Sequence, residues 1–526
     1  MFTLQHCATP TPPSGGARDT LGPVLIAEET TPNFQTNLRP ERITLTFDEW
    51  VELDPQQEIL ISPPLDLGED NRPTLRRRSL VIPLKGVTLR DSVTYVVNIG
   101  AAIKDLNEGN PTENLRFVFA TGPVLDTASV SGTLVRDYSG EPLENGTIAL
   151  FGNLADTAVT TQNPTYFAQT DEEGRYTVYN VRPGTYRVIA LERNPSATNY
   201  FIDVAGFAQP LAVGFTDTLL VVADGINSLP AVTVSTVAKP LRINTVDTSD
   251  FGRIRLVLNQ PAELADLVTG GDYLRRNDRD TLNLFYRQAR PDTFVIADNG
   301  VPADTAYYAG SVTTPGRAPQ LLEGPKLRVN PATGLSFRFD RPLANLDEAL
   351  VFLTRDTLPD AVPFTWTIDS LRPERLRLDA RWTTDASYQL EILPGAITDQ
   401  NGTAYPDTLL RKFKPDSPEK YGLLRLELTG LDSTRAYVLQ LVKGDEVLTD
   451  TRRTFADLTT FRTEYAGFPP GTYRAELIED RNRNGRYDTG DYFRARQPET
   501  VRRFDLEELR ANWEVEAKIE LGPENQ

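Results

Sequence analysis

The sequence predicts an all-β, multi-domain chain of β-sandwiches, and three observations carry that expectation. From about residue 22 onward, short segments alternate apolar and polar residues at regular spacing, the period-2 pattern of strands with one face in a core. Turn-forming residues bound these segments, and the chain holds 39 prolines and 35 glycines, which suits strands and tight turns rather than long helices. At 526 residues it is too long for one hydrophobic core and predicts roughly three to five domains of about 100 to 150 residues each.

Composition narrows the function classes. Hydrophobic residues make up 39% and aromatics 9%, too apolar for a disordered chain. No stretch approaches the roughly 18 continuous apolar residues of a membrane span. The formal net charge of -18 argues against a nucleic-acid partner, because phosphate backbones are bound by positive surfaces. Cys7 is the only cysteine and lies beside the only histidine, His6, ahead of the Pro/Gly-rich stretch ATPTPPSGGARD. A lone terminal cysteine has no partner for a disulfide, a zinc site or a Cys/His nucleophile. It can carry lipid. Leu4, Gln5, His6 and Cys7 resemble a bacterial lipobox, which implies cleavage just before Cys7 and acylation of that residue; the alternative is a chance surface cysteine. The upstream segment is shorter than an apolar signal core of roughly 7 to 15 residues, which suggests a late recorded start or a trimmed chain.

In chain order, ITLTF reads as a strand with Ile43, Leu45 and Phe47 inward and Thr44 and Thr46 outward. YVVNI from Tyr95 and LRFVFATG from Leu115 read alike, and the turn DLNEGNP, Asp105 to Pro111, between them predicts a hairpin. The layout returns later, where GLSFRFDRP matches ITLTFDEW and YQLEILPGAITDQNGTAYPDTLLRKF matches YVVNIGAAIKDLNEGNPTENLRFVF. These read as two copies of one domain of about 100 residues. A third, degenerate copy begins at IRLVLNQP. The repeated segments resemble the SbsA-type Ig-like domain, with Asp48, Asp105, Gly109 and Asn110 fitting its motifs in one copy and Asp340, Pro342, Asp399, Asn401 and Gly402 in the other; Trp50 stands where the first copy lacks the proline.

A second repeat alternates with the first. VSGTLVRDYSGEPLENGTIALF followed by TDEEGRYTVYNVRPGTYRVIAL places Gly174 and Gly184 at turns and Tyr176, Val178, Tyr186 and Val188 toward a core. It resembles the carboxypeptidase-regulatory, prealbumin-like sandwich, and FPPGTYRAELIED repeats it, with Pro470 to Arg474 matching Pro183 to Arg187. The predicted order is a lipoprotein N-terminus and tether over 1–21, an Ig-like domain over 22–122 and a prealbumin-like sandwich over 127–235. A degenerate Ig-like domain over 237–312, an Ig-like domain over 325–415 and a second prealbumin-like sandwich over 419–521 follow. This order resembles an Ig-like-domain lipoprotein family of Bacteroidota outer membranes.

DRNRNGRYDTGD supplies the sharpest candidate site. An EF-hand-type calcium loop takes oxygen ligands at its first, third, fifth, seventh, ninth and twelfth positions with glycine at the sixth. Here those are Asp480, Asn482, Asn484, the Arg486 carbonyl, Asp488 and Asp491, with Gly485 at the turn. Arg481, Arg483 and Arg486 add positive charge and the flanks read as strands, so the segment is either a Ca2+-stiffened hairpin loop or an ordinary Asn/Gly turn. The matching stretch in the earlier sandwich, ERNPSATNYFID, lacks most of those ligands. Trp366, on one face with Val362 and Phe364, predicts a core role. Trp50, Trp382 and Trp513 are open between packing and a carbohydrate or protein contact. FDLEELRANWEVEAKIEL predicts a short helix opening at Asp505, with Glu508 three residues on, then a final strand.

Little supports catalysis. His6 is the only histidine, which excludes a histidine-based triad or metal centre, and no phosphate loop, dinucleotide fingerprint or nucleophile elbow occurs. A glycosidase needs only two carboxylates, about 5 to 9 Å apart in a deep cleft. The expected protein is a non-catalytic, lipid-anchored scaffold or accessory subunit at the outer membrane, on the cell-surface or periplasmic side. The family resemblance implies an outer-membrane β-barrel or other envelope protein as partner, in an assembly that builds or exports surface proteins. The alternative is a surface adhesin or glycan-binding lipoprotein.

Overall fold

The computed structural model describes residues 19–54, 59–68, 70–112, 115–193, 210–237, 239–310, 316–356, 358–370 and 372–522. The chain is a multi-domain all-β protein, and the described helical elements are single short turns such as Ala158–Thr161. It divides into two compact units, Met1–Val237 with Asp488–Glu499, and Ala238–Tyr487 with Thr500–Gln526.

In the first unit, Arg42–Thr46 pairs antiparallel with Ser79–Pro83, which also pairs with Thr74–Arg76. Ile43, Leu45 and Phe47 are fully buried with Leu80, Ile82, Tyr95 and Phe119. Thr46 departs from the expected outward face and is buried. Residues 26–31 run along this strand, with Ile26 donating to the Thr46 carbonyl and Thr31 to that of Thr44, and the Thr46 hydroxyl donates to the Glu29 carbonyl. The covered edge turns a nominally solvent-facing position into a paired polar one.

The facing sheet holds Thr94–Gly100 between Leu60–Ser62 and Leu115–Ala120. Thr94–Gly100 and Leu115–Ala120 pair as expected, with Val97 opposite Phe117, yet the connection is no simple hairpin. Ile103–Asp105 leaves this sheet and pairs with Val51–Leu53.

The next sandwich is a continuous strand path running Tyr166–Gln169, Thr147–Phe151, Gly184–Glu192, Ala212–Phe215, Val232–Thr236, Ala128–Arg136 and Arg175–Val181. Tyr176, Val178, Tyr186 and Val188 all enter its core. Asp488–Glu499 belongs to this unit although its sequence neighbours lie in the C-terminal sandwich. The Tyr492 ring meets Phe215 edge-on at 5.5 Å, Gln497 donates to the Phe215 carbonyl at 2.9 Å, and the Gly490 amide donates to Ser235 Oγ at 3.0 Å.

The second unit carries three cores in sequence. In the first, Arg253–Leu258 lies between Ile243–Asp250 and Thr281–Phe285, and Asp292–Asp298 between Asp266–Val268 and Val301–Tyr308. The second reproduces the N-terminal Ig-like domain: Leu335–Phe339 pairs with Arg375–Ala380, Leu343–Leu346 with Ile397–Asp399, and Tyr388–Ile392 lies between Val351–Arg355 and Leu409–Pro415. A backbone clasp recurs in three of the sandwich cores. Asp48 donates its amide to the Val24 carbonyl and accepts the Val24 amide on its carboxylate. Asp340 does the same with Gln320, and Asn259 with Arg242.

The C-terminal sandwich sets Gly422–Thr429 between Thr460–Phe468 and the parallel Glu514–Glu520. Its second sheet runs Glu446–Ala456, Ala436–Lys443, Arg474–Asp480, Val501–Asp505. The short helix expected after Asp505 does not form. Asp505 ends a strand opposite Arg474, and the Leu506 and Leu509 amides donate to the carbonyls of Tyr473 and Gly471. Extended chain bonded to its neighbour replaces a helical turn too short to nucleate alone.

Candidate functional site

Cys7 lies outside the described residues, as does most of ERNPSATNYFID. The acidic loop is described throughout. Asp480, nearly buried at the end of Arg474–Asp480, accepts the Asn484 amide at 3.0 Å on one oxygen and the Gly485 amide at 2.7 Å on the other. Asn482 Oδ1 accepts the Asn484 amide and Asn484 Oδ1 the Arg486 amide. Gly485 takes a φ of 76°, the left-handed region that glycine enters without strain.

The other positions point elsewhere. The Arg486 guanidinium donates to the Glu263 carbonyl and pairs with Asp266 at 3.2 Å. Asn482 Nδ2 donates to Asn299 Oδ1 at 2.8 Å. Asp488 and Asp491 belong to the other compact unit, where the Asp488 amide donates to Glu499 and the Asp491 carboxylate accepts the Arg494 amide. Among the described residues, no group of three or more His, Cys, Asp or Glu side chains gathers to hold a metal ion. The first half of the motif is an Asx-turn loop organised around Asp480.

Two of the family-motif aspartates, Asp105 and Asp399, occupy buried positions of a different kind. The Asp105 carboxylate is almost inaccessible and accepts the amides of Asn107, Glu108, Gly109 and Asn110 at 2.5 to 3.0 Å. Asp399 accepts those of Asn401 and Thr403 and meets Arg341 at 3.5 Å. Arg341, itself buried, also bonds Asp250 of the preceding domain at 3.0 Å, while Arg253 pairs with Asp250 at 2.9 Å and Asp340 at 3.6 Å. These groups form one buried charge network between two neighbouring Ig-like domains. Gly252 belongs to the same junction, with a φ of 85°; a Cβ there would lie 2.1 Å from Asn401 Nδ2. Sequence reasoning found Asp340, Asp399 and Asn401 as motif residues but missed Arg341, Asp250 and Arg253, since nothing in one sequence pairs arginines and aspartates far apart.

The tryptophans divide. Trp366 packs half-buried against its domain core and donates Nε1 to Glu348 at 2.7 Å. Trp382 meets Tyr388 and Phe413 edge-on. Trp50 and Trp513 are more than half exposed, the latter under the Arg510 guanidinium. A shallow hollow of about 860 Å³ on the second complete Ig-like domain is lined by Phe364, Arg355, Arg377, Arg381 and Asp379 among others. Asp379 is the one carboxylate among the described residues that line it, and it pairs with Arg377 at 2.7 Å.

No family model and no curated protein matches the chain. Among solved structures it is similar to the major pilin subunit BcpA of Bacillus cereus, at 9% identity over 75% of this chain and 98% of that one, with a TM-score of 0.15. It is also similar to a putative carbohydrate binding protein from Bacteroides uniformis, at 13% identity over 35% of this chain and 100% of that one, with a TM-score of 0.14. The S-layer protein SbsC matches at 10% identity over 84% of this chain and 64% of that one, with a TM-score of 0.13.

Proposed function

We propose that this chain is a non-catalytic, lipid-anchored scaffold or accessory subunit of the bacterial cell envelope, held at the outer membrane by Cys7 and serving an outer-membrane β-barrel or another envelope protein. One observation carries the reading: the described residues form successive sandwich cores with polar groups committed to turns and to a charge-locked junction rather than converging in a cleft. Such groups fix the geometry of a support, as a scaffold requires. Acylation of Cys7 with more than one chain, at about 0.8 kcal/mol per buried methylene, supplies stable anchoring where a single chain is marginal. Expressed behind a complete signal peptide, Cys7→Ser should move the protein from membranes to the soluble fraction; unchanged membrane residence overturns the anchor.

An adhesin or glycan-binding role is the second reading, favoured by Phe364 set among Arg355, Arg377 and Arg381 in the open hollow. That chemistry suits an acidic saccharide, and Phe364→Ala should then abolish retention on an acidic-glycan column. Calcium binding at 480–491 remains part of the proposal on the strength of ligand spacing and is tested by the melting experiment below.

A further inference from the structure

The two complete Ig-like copies share a register at one end that exposes a difference between them. In the first copy, Val51 lies opposite Asp105 and the next pair outward is Trp50 and Leu106, with the Leu106 amide donating to the Trp50 carbonyl at 2.9 Å. In the second copy, Leu343 lies opposite Asp399 and the next pair is Pro342 and Gln400, joined by the corresponding bond at 3.2 Å. The second copy's end is an interface: Arg341 reaches Asp250, Arg253 reaches Asp340, and Gln400 donates to the Tyr286 carbonyl. Among the described residues, no domain covers the corresponding end of the first copy. There Trp50 and Leu106 are 53% and 52% exposed, and Leu21 and Val24 more so.

These four residues lie on neighbouring stretches at one end of the domain. Val24 is clasped to Asp48, Asp19 accepts Asn110 Nδ2 at 3.1 Å, and Gly22 lies so close to Pro111 that a Cβ would stand 2.0 Å from its carbonyl oxygen. A cross-strand Trp–Leu pair left in water is an unusual surface feature and a typical anchor of protein interfaces. Acidic groups gather at Glu49, with Arg77 alongside, its carbonyl accepting the Val51 amide. Where the second copy places Arg341, the first has Glu49, whose carboxyl is pushed up by burial and by Asp105, Asp48, Asp19 and Glu108 around it.

We propose that this end of the first Ig-like domain is a docking surface for a basic patch on a partner protein at the membrane. The second copy supplies the template, since Arg253 from the docked domain meets Asp340, the counterpart of Asp48. A partner arginine or lysine facing Asp48 and Glu49, with an apolar residue against Trp50 and Leu106, satisfies both the charge and the exposed apolar area. Placing that partner at the membrane rests on the anchor reading: Asp19 is the twelfth residue after Cys7, a reach of at most about 40 Å.

The test replaces Trp50 by the photo-reactive p-benzoylphenylalanine in the full-length protein in native membranes, with the same probe at Trp513 as control. The expected result is a discrete protein adduct from position 50 alone, whose cross-linked peptide carries Lys or Arg, and whose yield falls about tenfold with Glu49→Arg. Glu49→Arg installs the residue type that the second copy carries at this position, so the fold should accept it; Leu106→Ser, with an unchanged melting curve, should lower the yield as well. Adducts to lipid, adducts to a second copy of this chain, equal labelling from Trp513, indifference to Glu49→Arg, or no adduct each overturn the proposal. Cys7→Ser separates the two readings, because membrane residence without the lipid alongside a normal adduct sinks the anchor and leaves the docking surface standing.

Discussion

Asp105 organises its turn through charge. Burial alone would raise its pKa, but the amides of Glu108, Asn110, Gly109 and Asn107 outweigh that and hold the carboxyl below its ordinary value. A carboxylate with a depressed folded pKa contributes stability that is present above the unfolded value, about 3.9, and is lost as pH falls through the folded one. Asp105→Asn should therefore lower the urea midpoint of the first Ig-like domain at pH 7, and the gap from wild type should close as the pH drops below about 4; a gap independent of pH would refute the charge argument. The paired tyrosines offer a second residue-scale test. Tyr186 donates its hydroxyl to the Arg182 carbonyl at 2.7 Å and Tyr473 to the Pro469 carbonyl at 2.6 Å, four residues back in both sandwiches. Tyr473→Phe should destabilise the C-terminal sandwich by about 1 to 2 kcal/mol, read as a lower urea midpoint, with Tyr186→Phe acting alike on the earlier one. The turn aspartate and the core tyrosines were legible in sequence because each acts within a few residues of itself. Thr46 was not, because the segment that covers it arrives from sixteen residues upstream.

At the scale of elements, alternation told which face of a strand turns inward and was silent on which strand lies beside it. Tyr176, Val178, Tyr186 and Val188 entered the core as read, whereas Ile103–Asp105 left its expected hairpin for Val51–Leu53, a pairing that no local pattern encodes. The segment after Asp505 carried a helix signal, and tertiary hydrogen bonds to Gly471 and Tyr473 overrode it. The 480–491 loop shows the same division. Its Asx turns were visible as Asn and Gly at fixed spacing, while the partition of its later residues into another unit was not. Calcium is expected to raise the melting temperature of the full-length protein, by about 1.4 kcal/mol of stabilisation at tenfold above its dissociation constant. Asp480→Ala should remove that response. An unchanged curve at several millimolar calcium, about the affinity range of extracellular modules, would leave the loop a polar turn.

For the whole molecule, the decisive contacts are the polar ones that couple neighbouring domains. Arg341 lies among Asp250, Asp340 and Asp399 with its side chain almost fully buried. Arg341→Met leaves Asp250 with Arg253 as its remaining arginine and Asp399 with its turn amides, and breaking one side of such a buried network is expected to remove about 3 kcal/mol or more. The double variant Arg341→Met with Asp250→Asn should lose less than the sum of the two single variants, because the Arg341–Asp250 pair is lost in each of them. Calorimetry should show the two adjoining domains melting as one transition in wild type and as two in Arg341→Met; a single unchanged transition would mean that the network does not couple them. The all-β, multi-domain fold was readable from the sequence, but this network was not, because Asp250 and Arg341 stand 91 residues apart.

The excursion at Asp488–Glu499 gives the chain an order in time. Tyr492 and Gln497, which pack on Phe215, are synthesised after 250 residues of the other unit. Throughout translation the first unit waits for its last piece, and Gln497 meets Phe215 across 282 residues and Thr489 meets Asp137 across 352, a slow kind of step. A nascent chain halted anywhere before residue 488 presents Phe215 and Ser235 uncovered. Whatever attends this protein as it is made therefore meets an unfinished surface on its first half until the second half has been delivered.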